Sequence, residues 1–127
     1  MGKFKKITLP KASPVLYSDG IIFGNVLSVS GMLPTDAQGQ LVGKGDISAQ
    51  AEQVFQNIKA VLDEAGATFE DVVKLNIYLK DIGHRTQLGP IRVKYFGDHK
   101  PSSTLVAIAD LANPDALLEI EVLAYLP

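Results

Sequence analysis

"QAEQVFQNIKAVLDEAGATFEDVVKLNIYLKDI", residues 50–82, joins two periodicities across one short turn. Counting from Asp46, apolar residues recur at Ile47, Ala51, Val54, Phe55, Ile58, Leu62 and Ala65, the spacing of one helix face. Gln50, Glu52, Gln53, Lys59 and Asp63 fill the other faces. Asp46 or Ser48 can cap the first amides, and Gly66 supplies the left-handed residue that commonly ends a helix. After the turn, Val73, Leu75, Ile77 and Leu79 alternate with Lys74, Asn76, Tyr78 and Lys80, the pattern of a half-buried strand. A one-stripe helix followed at once by a one-faced strand predicts a layer of helices on a sheet.

The flanks extend this pattern. Upstream, "DGIIFGNVLSVSGMLP" holds two apolar runs split by Gly24-Asn25, which predicts a β-hairpin. In its second run Val26, Ser28 and Ser30 point one way and Leu27, Val29 and Gly31 the other. Downstream, Gly89-Pro90 interrupts any helix begun near His84, so a second helix is expected from about Pro90 to Asp98, with Ile91, Tyr95 and Phe96 facing the sheet. "STLVAIA" and "LLEIEVLAY" then read as strands separated by a turn-rich segment. The expected order is β-β-α-β-α-β-β, an α/β (α+β) sheet with both helices on one face, in a single domain spanning 1–127. An apolar second face would need covering, which predicts a symmetric oligomer.

Composition narrows the function. The 127 residues carry a formal charge of −2 and no cysteine, so no nucleic-acid or membrane partner is implied and no thiolate nucleophile or Cys-ligated metal exists. A cytoplasmic location is the expectation. The first residues lack the apolar run of a secretion signal, and Met1-Gly2 begins an acylation-like motif in which Lys6 stands where Ser or Thr is favoured. His84 and His99 have no metal-ligand spacing and are expected at the surface. "VSGML" is no nucleophile elbow, and "FGNVLSVSG" lacks the phosphate-loop lysine. Glu119 and Glu121, two apart on the last strand, share a face; they are either solvated or, among Leu118, Ile120 and Val122, half-buried carboxyls suited to proton transfer.

Taken together, "YSDGIIFGNVLSVSGMLP", the 50–82 block and "LLEIEVLAYLP" resemble the RidA/YjgF family, small enamine and imine deaminases also described as translation-inhibitor-like endoribonucleases. The resemblance runs nearly end to end. It implies a chorismate-mutase-like fold, a homotrimer whose sheets form a central barrel, and small-molecule clefts between subunits that need no cofactor or metal. It also implies hydrolysis of a reactive enamine or imine to a carbonyl product and ammonia, with an arginine holding the substrate carboxylate. Tyr17 matches a cleft tyrosine, Ser30 and Gly31 a serine-glycine pair, and Glu119 the glutamate that positions or activates water, with Glu121 as the second candidate.

Four positions depart from the family. The arginine position falls on Ser103, the family serine and cysteine that follow it are Thr104 and Leu105, and an asparagine often found in the helix region is Gly89. A neutral hydroxyl contact is weaker than an arginine-carboxylate pair by about 1 to 2 kcal/mol. Ser103 and Thr104 are therefore expected to hydrogen-bond a substrate that is less anionic than 2-aminoacrylate, unless Arg85 or Arg92 reaches the cleft from elsewhere. The alternative is a non-catalytic trimer that binds a metabolite or regulates a partner in the same cleft.

Overall fold

The computed structural model describes residues 3–127, so Met1 and Gly2, where the acylation-like motif starts, lie outside the described residues. The apolar stripe forms α1 (Ile47–Ala65), capped by Asp46, whose Oδ1 accepts from the Ala49 amide at 3.1 Å. Gly66 closes it at φ 75°, a left-handed conformation in which only glycine carries no steric cost. The alternating segment forms β4 (Val72–Leu79). Around these lie β1 (Lys5–Ile7), β2 (Gly20–Phe23), β3 (Val26–Met32), α2 (Arg85–Phe96), β5 (Ser102–Ala107) and β6 (Leu118–Tyr125). They make one six-stranded sheet in the order β1-β2-β3-β6-β4-β5. Only β4 and β5 pair in parallel, because α2 carries the chain back across the sheet between them.

Both helices cover one sheet face. Leu27, Val29, Leu75, Ile77, Leu118 and Ile120 are buried beneath them, and Phe55, Phe69, Tyr95 and Phe96 form an aromatic cluster that joins α1, α2 and the turn before β4. The opposite face carries Phe23, Val106, Leu123 and Tyr125 exposed to solvent in the single chain. The fold class and the one-sided helix layer agree with the sequence. The N-terminal strand β1 is an addition, since three residues beginning with two lysines carry too short a pattern to read.

Three further differences bear on the site. First, α2 starts at Arg85, so Pro90 lies inside it rather than at its head. An interior proline forfeits the bond to the carbonyl four residues earlier, here that of Thr86. Pro90 sits on the exposed flank, where water can satisfy that carbonyl, while Leu88, Ile91 and Phe96 are buried and hold the helix in place. Second, Gln50 is not on a solvated face: it is fully buried. Its Nε2 donates to the carbonyls of Gly43 (3.2 Å) and Asp115 (3.1 Å), and its Oε1 accepts from the Leu117 amide (2.7 Å), so it clamps the entry to β6. Third, the β3–β6 register slips between Val29, opposite Val122, and Met32, opposite Ile120. One extra residue on β3 is a bulge, and after it Met32, not Gly31, returns to the core.

Candidate functional site

The bulge brings Gly31 against Glu119. A Cβ built on Gly31 would lie 2.3 Å from Glu119 Oε1 and 2.7 Å from its Cδ, so only a residue without a side chain leaves the carboxylate where it is. The bulge is held from outside the sheet. Ser30 Oγ donates to the Ser18 carbonyl at 2.6 Å, and the Ser30 amide donates to the Asp19 carbonyl at 2.9 Å. Asp19 is itself buried and takes Lys11 Nζ on both oxygens, at 2.7 and 2.8 Å, together with the Leu9 amide. A buried carboxylate with a paired ammonium and an amide donor is electrostatically satisfied, so this cluster shapes the wall rather than reacting.

Glu119 and Glu121 share the helix-free face, as the alternation predicts, but their surroundings differ. Glu121 Oε1 accepts from Tyr78 OH at 2.7 Å and from Asn76 Nδ2 at 3.1 Å. That bond raises the Tyr78 phenol above its usual value, because ionising it would lose the donated hydrogen. Glu119 is half-buried and makes no hydrogen bond among the described residues. Partial burial, and secondarily the neighbouring Glu121 charge, push its carboxyl above the ordinary carboxylate value. The two carboxylates are thus separated by environment into one that is held and one that is free to exchange a proton. Asn76 and Tyr78 are functional neighbours that the sequence reading placed only on the polar side of β4; their link to Glu121 depends on β4–β6 pairing across the chain.

Two separate recesses lie near the Gly31–Glu119 contact. A cavity of about 410 Å³ is lined by Lys11, Tyr17, Asp19, Gly31, Asp36 and Asn57. A second, of about 250 Å³, is lined by Tyr78, Ile108, Asp110, Leu111, Glu119 and Glu121. Tyr17 and Gly31 thus share the first recess, and Glu119, which Gly31 closely approaches, lines the second. The exposed Tyr17 lies in the first recess and Ser30 turns its hydroxyl to the Ser18 carbonyl.

Ser103 and Thr104 do not join them within one chain. In the parallel pairing Thr104 lies opposite Asn76 on the helix-free face, whereas Ser103 lies opposite Leu75 and points to the helix side. Ser103 is also two strands across and three residues along from Glu119, about 14 Å at ordinary strand spacings. The histidines are half-buried rather than at the surface: a ring nitrogen of His99 meets the Val72 carbonyl at 2.6 Å. Among the described residues, no three His, Asp or Glu side chains are grouped to hold a metal ion. No helix is long and apolar enough to cross a membrane.

Replacing Gly31 by alanine tests the close approach. The added methyl meets the far end of a flexible side chain, so Glu119 can swing aside at small cost in stability. The expected result for Gly31→Ala is an unchanged thermal midpoint within a few degrees and a turnover lowered about tenfold or more by the misplaced carboxylate. A variant with wild-type turnover would show that the contact has no role in positioning Glu119.

Comparison with known proteins finds relatives over most of the chain. Residues 10–126 match the family model described as Endoribonuclease L-PSP. A RutC family protein of Pyrococcus abyssi is 41% identical over 86% of this chain and 85% of its own length. The 3-aminoacrylate deaminase RutC of Acinetobacter baylyi is 33% identical over 95% of this chain and 98% of its own. The crystal structure of RidA from the Antarctic bacterium Psychrobacter sp. PAMC 21119 superposes with a TM-score of 0.87 at 33% identity, covering 96% of this chain and 99% of that one.

Proposed function

Because the chain belongs to the Endoribonuclease L-PSP family, of which RidA, YjgF and RutC proteins are members, we propose that it is a hydrolytic deaminase of a small enamine or imine, acting in clefts completed by neighbouring copies in a homotrimer. One observation carries the reading: Glu119, half-buried, its carboxyl without a hydrogen-bond partner among the described residues and raised above its ordinary value by partial burial, stands over a glycine bulge and lines a recess. An enamine first takes a proton from solvent on carbon to become the iminium ion. Glu119 then accepts a proton from water as the water oxygen bonds to the iminium carbon and the C=N π pair moves to nitrogen, giving a neutral carbinolamine. Glu119 returns its proton to the amine, the C–N bond breaks, and the hydroxyl proton passes to the released ammonia, giving a carbonyl compound and ammonium. A carboxyl whose pKa is raised serves both proton transfers better than one at its ordinary value.

In this reading Glu121 is fixed by Tyr78 and Asn76 beside Glu119, whose carboxyl is raised by partial burial first and by its neighbour second. Tyr17 packs against the ligand, the Ser30-Gly31 backbone supplies polar contacts, and Thr104, on the helix-free face, or Ser103, on the other, adds a hydroxyl from a neighbouring copy. The apolar helix-free face is what neighbouring copies would cover. Substrate preference differs from arginine-bearing relatives because Ser103 brings no charge. The chemistry calls for no metal or cofactor, and the cytoplasm is the compartment that goes with it. A ribonuclease activity, the one in the family's name, is opposed by two adjacent carboxylates at the site, which repel a phosphodiester backbone.

The test generates imino acids in place with an amino-acid oxidase and follows ammonia and carbonyl product. Decay faster than in buffer for at least one imine is expected. Binding of the carbonyl product without any acceleration would contradict catalysis and leave the metabolite-binding alternative.

A further inference from the structure

We infer that Tyr78 is a positioning residue of the site: by holding Glu121 it assigns the two carboxyls their roles and leaves Glu119 as the one that takes a proton and gives it back. This rests on the deaminase reading above and deepens it, since it says what keeps the proton where the reaction needs it.

The geometry comes from the strand register. In the antiparallel β4–β6 pair Asn76 lies opposite Glu121, and Tyr78 lies opposite Glu119. Side chains on one face of such a pair also meet diagonally, and an aromatic one spans that distance. Tyr78 takes the diagonal: its hydroxyl donates to Glu121 Oε1 at 2.7 Å, not to the carboxyl directly across from it. Asn76 Nδ2 donates to the same oxygen at 3.1 Å. Two donors of β4 thus converge on one carboxyl of β6, and Glu119 is left without a hydrogen bond among the described residues. Tyr78, Glu119 and Glu121 all line the recess of about 250 Å³, so the arrangement sits where a substrate would.

The consequence is chemical. The proton that Glu119 takes from water has to return to the amine nitrogen as the C–N bond breaks. A neighbouring carboxylate with no partner of its own would be a second taker, because adjacent carboxyls that interact share a proton and titrate as a pair. A proton passed to Glu121 would weaken the bonds from Tyr78 and Asn76, since a charged acceptor holds a donor more strongly than a neutral one. The phenol itself does not compete. The bond to Glu121 is the main cause that raises it above its ordinary value, so it stays a donor at neutral pH. The other groups around Glu119 are occupied or uncharged. Asp110, in the segment after β5, lines the same recess but pairs with Lys80 at 3.0 Å and accepts from the Leu111 amide at 2.8 Å. β3 brings Gly31, and β5 sets Val106 opposite Tyr78.

The experiment compares wild type, Tyr78→Phe, Glu121→Gln and the double variant in ammonia release from oxidase-generated imino acids. It also follows the Glu119 carboxyl carbon by NMR across pH, in protein labelled at the glutamate carboxyl carbons. Phenylalanine keeps the ring and removes only the donor. Tyr78→Phe is expected to lower kcat about fivefold at unchanged KM, in keeping with the loss of one hydrogen bond. It should also spread the Glu119 titration from one step into two. In the Glu121→Gln background, where no second carboxylate remains, Tyr78→Phe should lower kcat by no more than about twofold. A bond that only supports the fold would give the same loss in both backgrounds, and that result overturns the proposal, as does a Glu119 titration unchanged in Tyr78→Phe. If wild type accelerates no imine, a Glu119 titration that splits in Tyr78→Phe keeps the assignment of roles and sinks the deaminase reading. Turnover by wild type with a Glu119 titration indifferent to Tyr78→Phe does the reverse.

Discussion

Glu119→Gln is expected to lower kcat for imine hydrolysis by about 10²- to 10⁴-fold, the usual contribution of a positioned acid-base group. The substitution keeps the shape of the side chain that fills the space over Gly31 and removes only its ability to take and return a proton. It should not weaken the fold. The Glu119 carboxyl is raised in the folded protein by partial burial and by Glu121, so ionisation is opposed there more than in the unfolded chain. Its contribution to stability is full below the ordinary carboxylate value and is lost as pH rises through the raised folded value. Wild type should therefore have a thermal midpoint no higher than that of Glu119→Gln near neutrality, and the two should converge in acid. A variant that loses activity and also loses stability at neutral pH would instead give Glu119 a structural role.

Phe55→Ala should produce the largest loss of stability. Phe55 is fully buried, stacks on Tyr95 with ring centroids 5.1 Å apart and meets Phe69 and Phe96 edge-on at 6.2 and 6.0 Å. Truncating such a ring costs about 3 to 5 kcal/mol in lost burial and residual cavity. For a domain of this size that is a drop of roughly 10 to 20 °C in Tm, read at fixed protein concentration because an oligomer's midpoint depends on it. The same cluster seats α2 against α1, so the variant should also show faster amide exchange along α2 below its unfolding midpoint. Phe55→Leu, which retains much of the volume, should cost markedly less; an equal cost would mean that the aromatic contacts themselves, not the volume, hold α2.

The parts of the fold legible from sequence are those governed by local periodicity. The stripe from Ile47 to Ala65, the Asp46 cap, the Gly66 stop and the alternation of Leu75, Ile77 and Leu79 in β4 depend on neighbours a few residues apart and are realised as read; Val73, expected on the same face, is exposed and Val72 is buried instead, because the β4–β6 register shifts between Val72 and Lys74. The start of α2 was not legible, because Pro90 signals a helix beginning unless the burial of Leu88, Ile91 and Phe96 is known to outweigh one missing bond. Gln50 looked like a surface residue because its partners lie at Gly43, Asp115 and Leu117, up to 67 positions away. The bulge that turns Gly31 to Glu119 arises from pairing with β6 and leaves no local mark.

For the site, the resemblance named Tyr17, Ser30, Gly31 and Glu119; Tyr17 and Gly31 line one recess, and Gly31 is also approached closely by Glu119. It also treated Ser103 and Thr104 as a single polar patch, although neighbours on a strand point to opposite faces; pairing with Leu75 and Asn76 separates them.

The account turns on proton transfer by Glu119, and the most direct measurement is ammonia release from an oxidase-generated imino acid by wild type and Glu119→Gln, purified alike and of equal oligomeric size. Wild type should exceed the buffer rate by at least a hundredfold more than the variant does, as acid-base catalysis requires. Equal rates for the two proteins would contradict it.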